Sequence, residues 1–491
     1  MHTIGALALH AGTKVQTIRY YEEIGLMPAP ERSAGGQRRY GEAARDRLAF
    51  IRHARQLGFP LEAVRELLGL ADTPDRSCAD VDAMRTPESA AALARAARVL
   101  PGGNTRSSLW AAPYPLSITG GAGCRITDAD GHSYVDFLGE FTAGIFGHTC
   151  AALEQALTAA HRGGFGLSSH TPYETELAGE LAARFPSIEL LRFANSGTEA
   201  NVMALAAARL VTGRDRIVVF AGGYHGGVLT FGQGNAPVNL PLDFAILPYN
   251  DPQAAAREFA ASGDSIAAVL VEPMQGAGGC TVGTPAFLQA LRELCDGSGA
   301  LLIFDEVQTA RMAPGGAQEL LGITPDMTTL GKIFGGGLAF GAFGGRKAAM
   351  ERFDPAHADP IPHAGTFNNN RLTMAAGLEA VRHHLTPAAL AALYARGEAF
   401  RAALNDLFAD HGGAFHVTGM GSVMNIHGTG PDAAIRRDRL RLLQFRMMER
   451  GFYFAARGLI ALSFPLGEAE TGGFLDALDA VLAAGRARPE T

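Results

Sequence analysis

Cysteine is scarce, and none of it is arranged for metal or disulfide chemistry. Cys78, Cys124, Cys150, Cys280 and Cys295 are scattered, odd in number and without paired ligand spacing. That argues against a disulfide framework or a cysteine metal module and for reduced thiols in a cytoplasmic protein. Long apolar runs are missing too. The longest uncharged stretches, such as Pro273 to Leu291, are interrupted by Gly, Pro and polar residues, and the N-terminus has no basic–apolar–cleavage pattern. Neither a membrane span nor a signal peptide is expected. What is present suits a soluble globular chain: 491 residues, 47% hydrophobic and 19% charged. This is too long for one ordinary core, so two or more domains are expected. The 61 glycines favour tight turns and the close backbone approach that phosphate sites need.

The net charge of −7 is unevenly spread. Residues 1–70 hold 10 Lys+Arg against 7 Asp+Glu, leaving 32 against 42 in the remainder. A small basic head on a large acidic body suggests two functions in one chain. In the head, Ile4, Leu7 and Ala8 have helical spacing. A turn at Ala11-Gly12-Thr13 follows, then a second helix from about Val15 to Glu23 with Thr13 as its expected cap. Two short helices across a Gly-containing turn predict a helix-turn-helix whose second helix reads DNA. A turn at Gly35-Gly36 lies between Arg32 and Arg38-Arg39, and helices are expected over about Glu42–Leu57 and Leu61–Leu70.

The run Val15-Gln16-Thr17-Ile18-Arg19-Tyr20-Tyr21-Glu22-Glu23-Ile24-Gly25-Leu26, with Arg38-Arg39-Tyr40 and Arg55-Gln56-Leu57-Gly58-Phe59, resembles the DNA-binding domain of MerR-type regulators. The resemblance implies that Gln16, Thr17, Arg19 and Tyr20 face DNA from the recognition helix and that Arg38 and Tyr40 belong to a DNA-contacting wing. One feature departs from that family. Cys78 to Met84 resembles the start of the dimerising coiled coil, but Thr86-Pro87 follows and no heptads develop. The dimer must then come from elsewhere in the chain, or operator binding is weak.

Residues 71–100 read as a linker with a short Ala-rich helix from about Glu88 to Val99. Beyond it, apolar strands alternate with helical segments: Leu190–Phe193, Ile217–Phe220, Ala267–Val271, Leu301–Phe304, Thr328–Leu330 and Phe340–Phe343. That alternation predicts an α/β fold with a mostly parallel sheet and flanking helices. Four segments at strand ends carry candidate chemistry. Asn195-Ser196-Gly197-Thr198 opens a long Ala-rich helix and forms an anion seat. Gly222-Gly223-Tyr224-His225-Gly226-Gly227 holds an aromatic ring able to lie flat on a planar cofactor. Asp305, in Phe304-Asp305-Glu306-Val307-Gln308, is a carboxylate at the end of a very apolar strand, where burial asks for a cationic partner. Lys332, in Thr329-Leu330-Gly331-Lys332-Ile333-Phe334-Gly335-Gly336-Gly337, sits where an amine readily loses its proton and forms a Schiff base.

Together, in this order and spacing, the four segments resemble the class III, fold-type I aminotransferases, a group that includes the aminomutase that makes 5-aminolevulinate. Asp128-Ala129-Asp130-Gly131-His132-Ser133-Tyr134-Val135-Asp136 resembles that family's N-terminal hairpin. The likeness spans about residues 98–485. It implies pyridoxal 5′-phosphate (PLP) as cofactor, with Lys332 holding it and moving a proton, Asp305 on the pyridine nitrogen and Tyr224 on the ring. Ser196, Gly197 and Thr198 would hold the phosphate, Gln308 would complete the cofactor site, and Thr366 would reach the phosphate of a neighbouring subunit. A homodimer with shared active sites follows. The implied organisation is a winged helix-turn-helix head (1–70, taken as all-α), a linker (71–100), and a body at 101–491. Within the body, 156–375 forms the large cofactor domain, and 101–155 with 376–491 a smaller α+β domain.

Arg106 and Arg457 bear on the substrate, because a guanidinium binds a carboxylate in a bidentate fork. Ala112-Pro113-Tyr114-Pro115, Glu140 to His148, Phe340-Gly341-Ala342-Phe343-Gly344-Gly345 and Thr366-Phe367-Asn368-Asn369-Asn370 resemble β-amino acid aminotransferases acting on aromatic substrates. By that likeness Arg106 and Arg457 bind substrate carboxylates, an apolar side chain lies near Phe146, Tyr114 and Ala455, and the acceptor is 2-oxoglutarate or pyruvate. The aminomutase has no arginine at the place of Arg457, and Glu272-Pro273-Met274-Gln275-Gly276-Ala277 departs from its usual segment. A general ω-transaminase, the aminomutase itself and a regulator that senses through PLP, similar in principle to the MocR regulators, remain alternatives.

Overall fold

The computed structural model describes residues 2–10, 13–28, 30–32, 38–41, 44–45, 47–48, 51–52, 61, 64–65, 86–111, 114–430 and 432–486. The Gly35-Gly36 turn, Arg55 to Phe59, Cys78, most of the two later head helices and residues 71–85 of the linker lie outside these residues. The chain divides into two compact units, Met1–Ile118 with Asp128–Gly131, and Thr119–Thr127 with His132–Thr491.

In the first unit the helices Ile4–His10 and Val15–Glu23 fall where the apolar spacing places them. Lys14, not Thr13, is the N-cap of the second, and no side chain bonds to its free N–H groups. The head is not purely helical. His2–Thr3, Arg38–Tyr40 and Glu31–Arg32 form a three-stranded antiparallel sheet with Arg38–Tyr40 in the centre. Leu7, Ile18, Leu26, Leu48, Ile51 and Val64 are its fully buried core. Burying an aliphatic side chain contributes roughly 1.5–3 kcal/mol, so this small set supplies much of what holds the head together. Helix Pro87–Ala96 begins on a Pro, and its free N–H groups at Glu88 and Ser89 donate to the Asp130 carboxylate at 2.9 and 3.2 Å.

The second unit is built on a seven-stranded sheet. Its order is Leu190–Ala194, Gly341–Gly345, Met327–Gly331, Leu301–Asp305, Ile266–Val271, Arg216–Phe220, Phe244–Leu247. Only Gly341–Gly345 runs antiparallel to its neighbours; the other pairings are parallel. The six expected strands are all here, and Phe244–Leu247 joins them at one edge.

Both faces of the sheet are covered, which is why its strands read as continuous apolar runs. Strand alternation sends Leu301 and Ile303 to one side, into a cluster with Ala200, Ala204 and Ala208 of helix Gly197–Thr212. Leu302 and Phe304 go to the other, against Phe287, Leu288 and Leu291 of helix Pro285–Ser298. Small alanines let the first helix lie close to the sheet. Ser196 caps it by accepting the Glu199 N–H at 3.2 Å, and Gly213 ends it at φ +68°, a conformation that favours glycine.

A smaller region carries the strands Phe415–Met420, Val423–Gly428 and Leu459–Ala461 in one antiparallel sheet. A second sheet pairs Phe452–Tyr453 with Ser133–Asp136, the latter in the expected hairpin with Arg125–Asp128. Arg311 fastens this region to the sheet that carries the site. It is fully buried, donating to Ser422 Oγ at 2.9 Å, to the Thr142 carbonyl at 3.1 Å and to the Leu462 carbonyl. Burial without a carboxylate lowers its guanidinium to about 9.

Candidate active site

The ends of the parallel strands open onto one cavity of about 300 Å³, and Ser196, Gly197, Thr198, Tyr224, Asp305, Gln308 and Lys332 all line it. Seven of the expected site residues, from segments up to 136 positions apart, are therefore brought to one place.

Asp305 terminates its strand and is 4% exposed. One carboxylate oxygen accepts from Asn201 Nδ2 and pairs with His225 Nδ1, both at 2.8 Å; the other accepts the Val307 N–H at 3.0 Å. Asn201 in turn accepts from Thr329 Oγ1 at 2.7 Å. The result is a buried polar chain, Thr329–Asn201–Asp305–His225, in which every member has a partner. Burial disfavours charge on His225, yet the Asp305 carboxylate outweighs it and raises the imidazole above its ordinary value. Strand alternation turns the next carboxylate away from the cavity. Glu306 instead accepts the Ala317 and Gln318 N–H groups at 3.1 and 2.8 Å.

Lys332 follows its strand directly and takes φ +51°, a left-handed conformation costing a non-glycine residue about 1–3 kcal/mol. Burial lowers its amine to about 8, against the raising effect of Asp305 and Glu272. With the amine brought down this far a minor but ready fraction is unprotonated at physiological pH, and the neutral amine is the form that attacks a carbonyl.

At the other end of the cavity the sixteen-residue helix Gly197–Thr212 presents its N-terminus. Thr198 Oγ1 accepts the Gly227 N–H at 3.3 Å. A Cβ at Gly226 would lie 2.2 Å from that oxygen, so the approach of these two segments requires glycine. Tyr224 is 44% exposed, and its ring forms part of the cavity wall. The Gln308 Oε1 is buried with no protein partner. PLP fits this residue set: an anion seat, an aromatic wall, a buried carboxylate, a lysine whose amine burial brings down, and an acceptor still wanting a donor.

Other expected residues fall elsewhere. Thr366 is exposed and is not part of the cavity wall. Arg457 donates from Nη1 to the Gly276 and Ala277 carbonyls, both at 3.3 Å, and burial lowers its guanidinium. Arg106 belongs to the first unit. Phe146, expected near substrate, is packed in the core between Phe464 and His384. In the head, Gln16, Arg19 and Tyr20 are exposed along one face of the second helix, with Thr17 half-buried beside them. Tyr40 needs correction as a DNA contact. It is 2% exposed, its hydroxyl donates to Glu22, and burial raises the phenol. The wing strand puts Tyr40 inward, while Arg38 pairs with Glu22 at 3.3 Å.

His225, Asn201 and Glu272 also line the cavity, and the motif reading gave them no role. The sequence held signals for two of them. Asn201 is a polar residue at a position of the Ala-rich helix where its neighbours are buried. Glu272 ends an apolar strand just as Asp305 does.

Comparison with known proteins agrees with this geometry. The aminotransferase class-III family matches residues 107–458, the MerR HTH family regulatory protein domain matches 2–70, and the MerR DNA-binding region matches 45–97. The chain is 51% identical to a beta-phenylalanine transaminase of Variovorax paradoxus over 78% of this chain and 89% of the relative. It is 40% identical to a glutamate-1-semialdehyde 2,1-aminomutase of Sorangium cellulosum over 75% and 90% of the two chains. The solved Variovorax paradoxus beta-phenylalanine aminotransferase superposes with a TM-score of 0.80 at 49% identity, covering 82% of this chain and 95% of that one. An omega-transaminase from Sphaerobacter thermophilus gives 0.76 at 38%, covering 81% and 98%. Among the described residues, no helix is long and apolar enough to cross a membrane and no His, Cys, Asp or Glu group is arranged to hold a metal. The chain belongs to the class-III aminotransferases, which are PLP-dependent enzymes, and it carries a MerR-type helix-turn-helix domain at its N-terminus.

Proposed function

We propose that this aminotransferase takes the amino group from an aromatic β-amino acid and delivers it to 2-oxoglutarate or pyruvate. The observation that carries the reading is the 51% identity to a beta-phenylalanine transaminase over 89% of that protein. Arg457, held beside the Gly276 turn, supports it as a carboxylate-binding group. When bound, PLP supplies the electron sink that makes a C–H bond acidic at the amine-bearing carbon. Lys332 would hold the cofactor, and its Nζ is the base that would move the proton at the substrate Cβ, in both halves of the reaction. Asp305 would pair with the pyridine nitrogen and favour its protonated form, and His225 and Asn201 keep its carboxylate oriented. Ser196, Gly197 and Thr198 would hold the phosphate, Tyr224 would serve as the aromatic wall for the ring, and Gln308 would offer its buried Oε1 as an acceptor. Arg457, with Arg106, binds the carboxylates of the two substrates in turn. The catalytic unit is a homodimer with Thr366 serving the neighbour's phosphate. The free thiols of Cys124, Cys150, Cys280 and Cys295 suit a cytoplasmic setting.

A substrate panel tests this. β-Phenylalanine is expected to exceed phenylethylamine, which lacks the carboxylate, and γ-aminobutyrate, which lacks the aryl group, by about 100-fold in kcat/KM. Equal turnover of phenylethylamine would make the enzyme a general ω-transaminase.

The head supports a second role, in DNA binding. Gln16, Arg19 and Tyr20 form an exposed row at the spacing of a helix face, and the catalytic dimer would bring two heads together in place of the missing coiled coil. Arg19→Ala is expected to weaken binding to DNA upstream of the gene about 10-fold and to flatten its salt dependence. Tyr40→Phe should instead lower the head's stability with little direct effect on DNA contacts, because its hydroxyl is spent on Glu22. Absence of any salt-sensitive preference in the purified full chain would leave catalysis alone.

A further inference from the structure

Glu272 lines the cavity, yet none of the roles above uses it. It follows Ile266–Val271, a strand buried along its whole length, and is itself buried. Its two carboxylate oxygens go to two different pieces of chain. Oε2 accepts the Tyr224 N–H at 3.0 Å, and Oε1 accepts the Gly276 N–H at 3.2 Å. The Gly276 and Ala277 carbonyls are the groups to which Arg457 Nη1 donates. The backbone of Glu272 is fixed as well, because Tyr249 donates its hydroxyl to the Glu272 carbonyl at 2.7 Å. A glutamine of the same size could serve only one of the two N–H groups as acceptor and would leave the other unsatisfied.

We propose that Glu272 is a positioning residue whose carboxylate ties the loop carrying Tyr224 to the turn that holds Arg457, so that cofactor stacking and carboxylate binding are set by one group. The inference rests on the reading that Tyr224 stacks on PLP and Arg457 binds the substrate carboxylate. It also gives those two functions a shared pH dependence. Burial pushes the Glu272 carboxyl up to about 7; the Asp305 charge adds to the rise, while His225 and the two N–H groups oppose it. Lys332, Arg457, Cys280 and Tyr249 also feel its charge. As pH falls through about 7 one oxygen becomes a hydroxyl, and one of the two tethers is lost.

The test uses Glu272→Gln in the full chain with two binding measurements. One is PLP affinity of the apoprotein. The other is affinity of the PLP-loaded protein for 3-phenylpropionate, a carboxylate with no amine to react. Glu272→Gln is expected to weaken both by roughly 10-fold, the effect of one lost charge-assisted hydrogen bond, whereas Arg457→Ala should weaken only the second. In the parent protein 3-phenylpropionate binding should weaken as pH drops from about 8 to about 6; in Glu272→Gln it should stay weak and flat. Parent-like affinities in Glu272→Gln, or survival of its pH step, would overturn the assignment. If Glu272→Gln does not fold, Glu272→Asp, which keeps a titratable carboxylate, should retain the pH step, and its loss there counts equally against the proposal. If the parent binds PLP but not 3-phenylpropionate, the carboxylate role of Arg457 fails. Glu272 is then judged on PLP affinity alone, where a parent-like value in Glu272→Gln overturns it.

Discussion

Lys332→Ala is expected to lower turnover by at least about 10⁴-fold, the upper range for removing a proton-transfer group, with loss of the covalent attachment adding to it. The structural basis is that nothing nearby can substitute. The chain contains only three lysines, Lys14, Lys332 and Lys347. Lys14 and Lys347 are exposed, whereas Lys332 alone lines the cavity, its amine brought down to about 8 by burial. Borohydride reduction of the PLP-loaded parent should place the label on the peptide containing Lys332, and the variant should take up none. The sign of the pH dependence follows from the lowered amine. Below about 8 the free amine is increasingly protonated and cannot attack, so the rate at which the apoprotein captures PLP should rise with pH across that value. Label on Lys14 or Lys347, or turnover within 10-fold of the parent, would remove Lys332 from its role.

That result also bears on how much of the molecule its sequence exposes. The large sheet was readable because both its faces are covered, which turns each strand into an uninterrupted apolar run such as Leu301–Phe304. Phe244–Leu247, a four-residue edge strand only partly buried, escaped, whereas Leu190–Ala194 at the opposite edge did not. The residues of the anion seat, the aromatic wall and Lys332 were readable because each stands at a strand end beside glycine, and Asp305 because it is a carboxylate closing a very apolar strand. The polar chain behind them was not. Asn201 and His225 acquire meaning only when helix Gly197–Thr212 and the Tyr224 loop converge on Asp305, across as many as 104 positions. Tyr40 shows the opposite error. Its motif marked it for the surface, but the central strand of the head's sheet turns it inward onto Glu22. Nor did composition single out Lys332, although a chain with so few lysines offered that argument plainly.

Asp305→Asn should lower kcat/KM by about 10²–10³-fold, the range for removing one electrostatic stabiliser from a closed site. Volume and shape are preserved, so the loss measures charge. A neutral amide cannot hold the pyridine nitrogen protonated, and its NH2 must face either the Val307 N–H or the pair Asn201 Nδ2 and His225. A second, activity-independent effect follows from His225. In the parent the Asp305 carboxylate raises the imidazole against the opposing influence of burial. A histidine raised in the folded state contributes stability that is fully present below its unfolded pKa of about 6.5 and is lost as pH rises through the folded value. Without the carboxylate only the weaker pull of the Glu272 charge still opposes burial, so the imidazole is depressed and protonation now opposes folding. The difference in Tm between apo parent and apo Asp305→Asn should therefore widen as pH is lowered from about 8 to about 6. Glu272 titrates in the same window, so the comparison is repeated with Glu272→Gln in both chains, where the widening should persist. A Tm difference independent of pH would mean that His225 is not charged in the folded protein and that Asp305 is oriented by neutral hydrogen bonds alone.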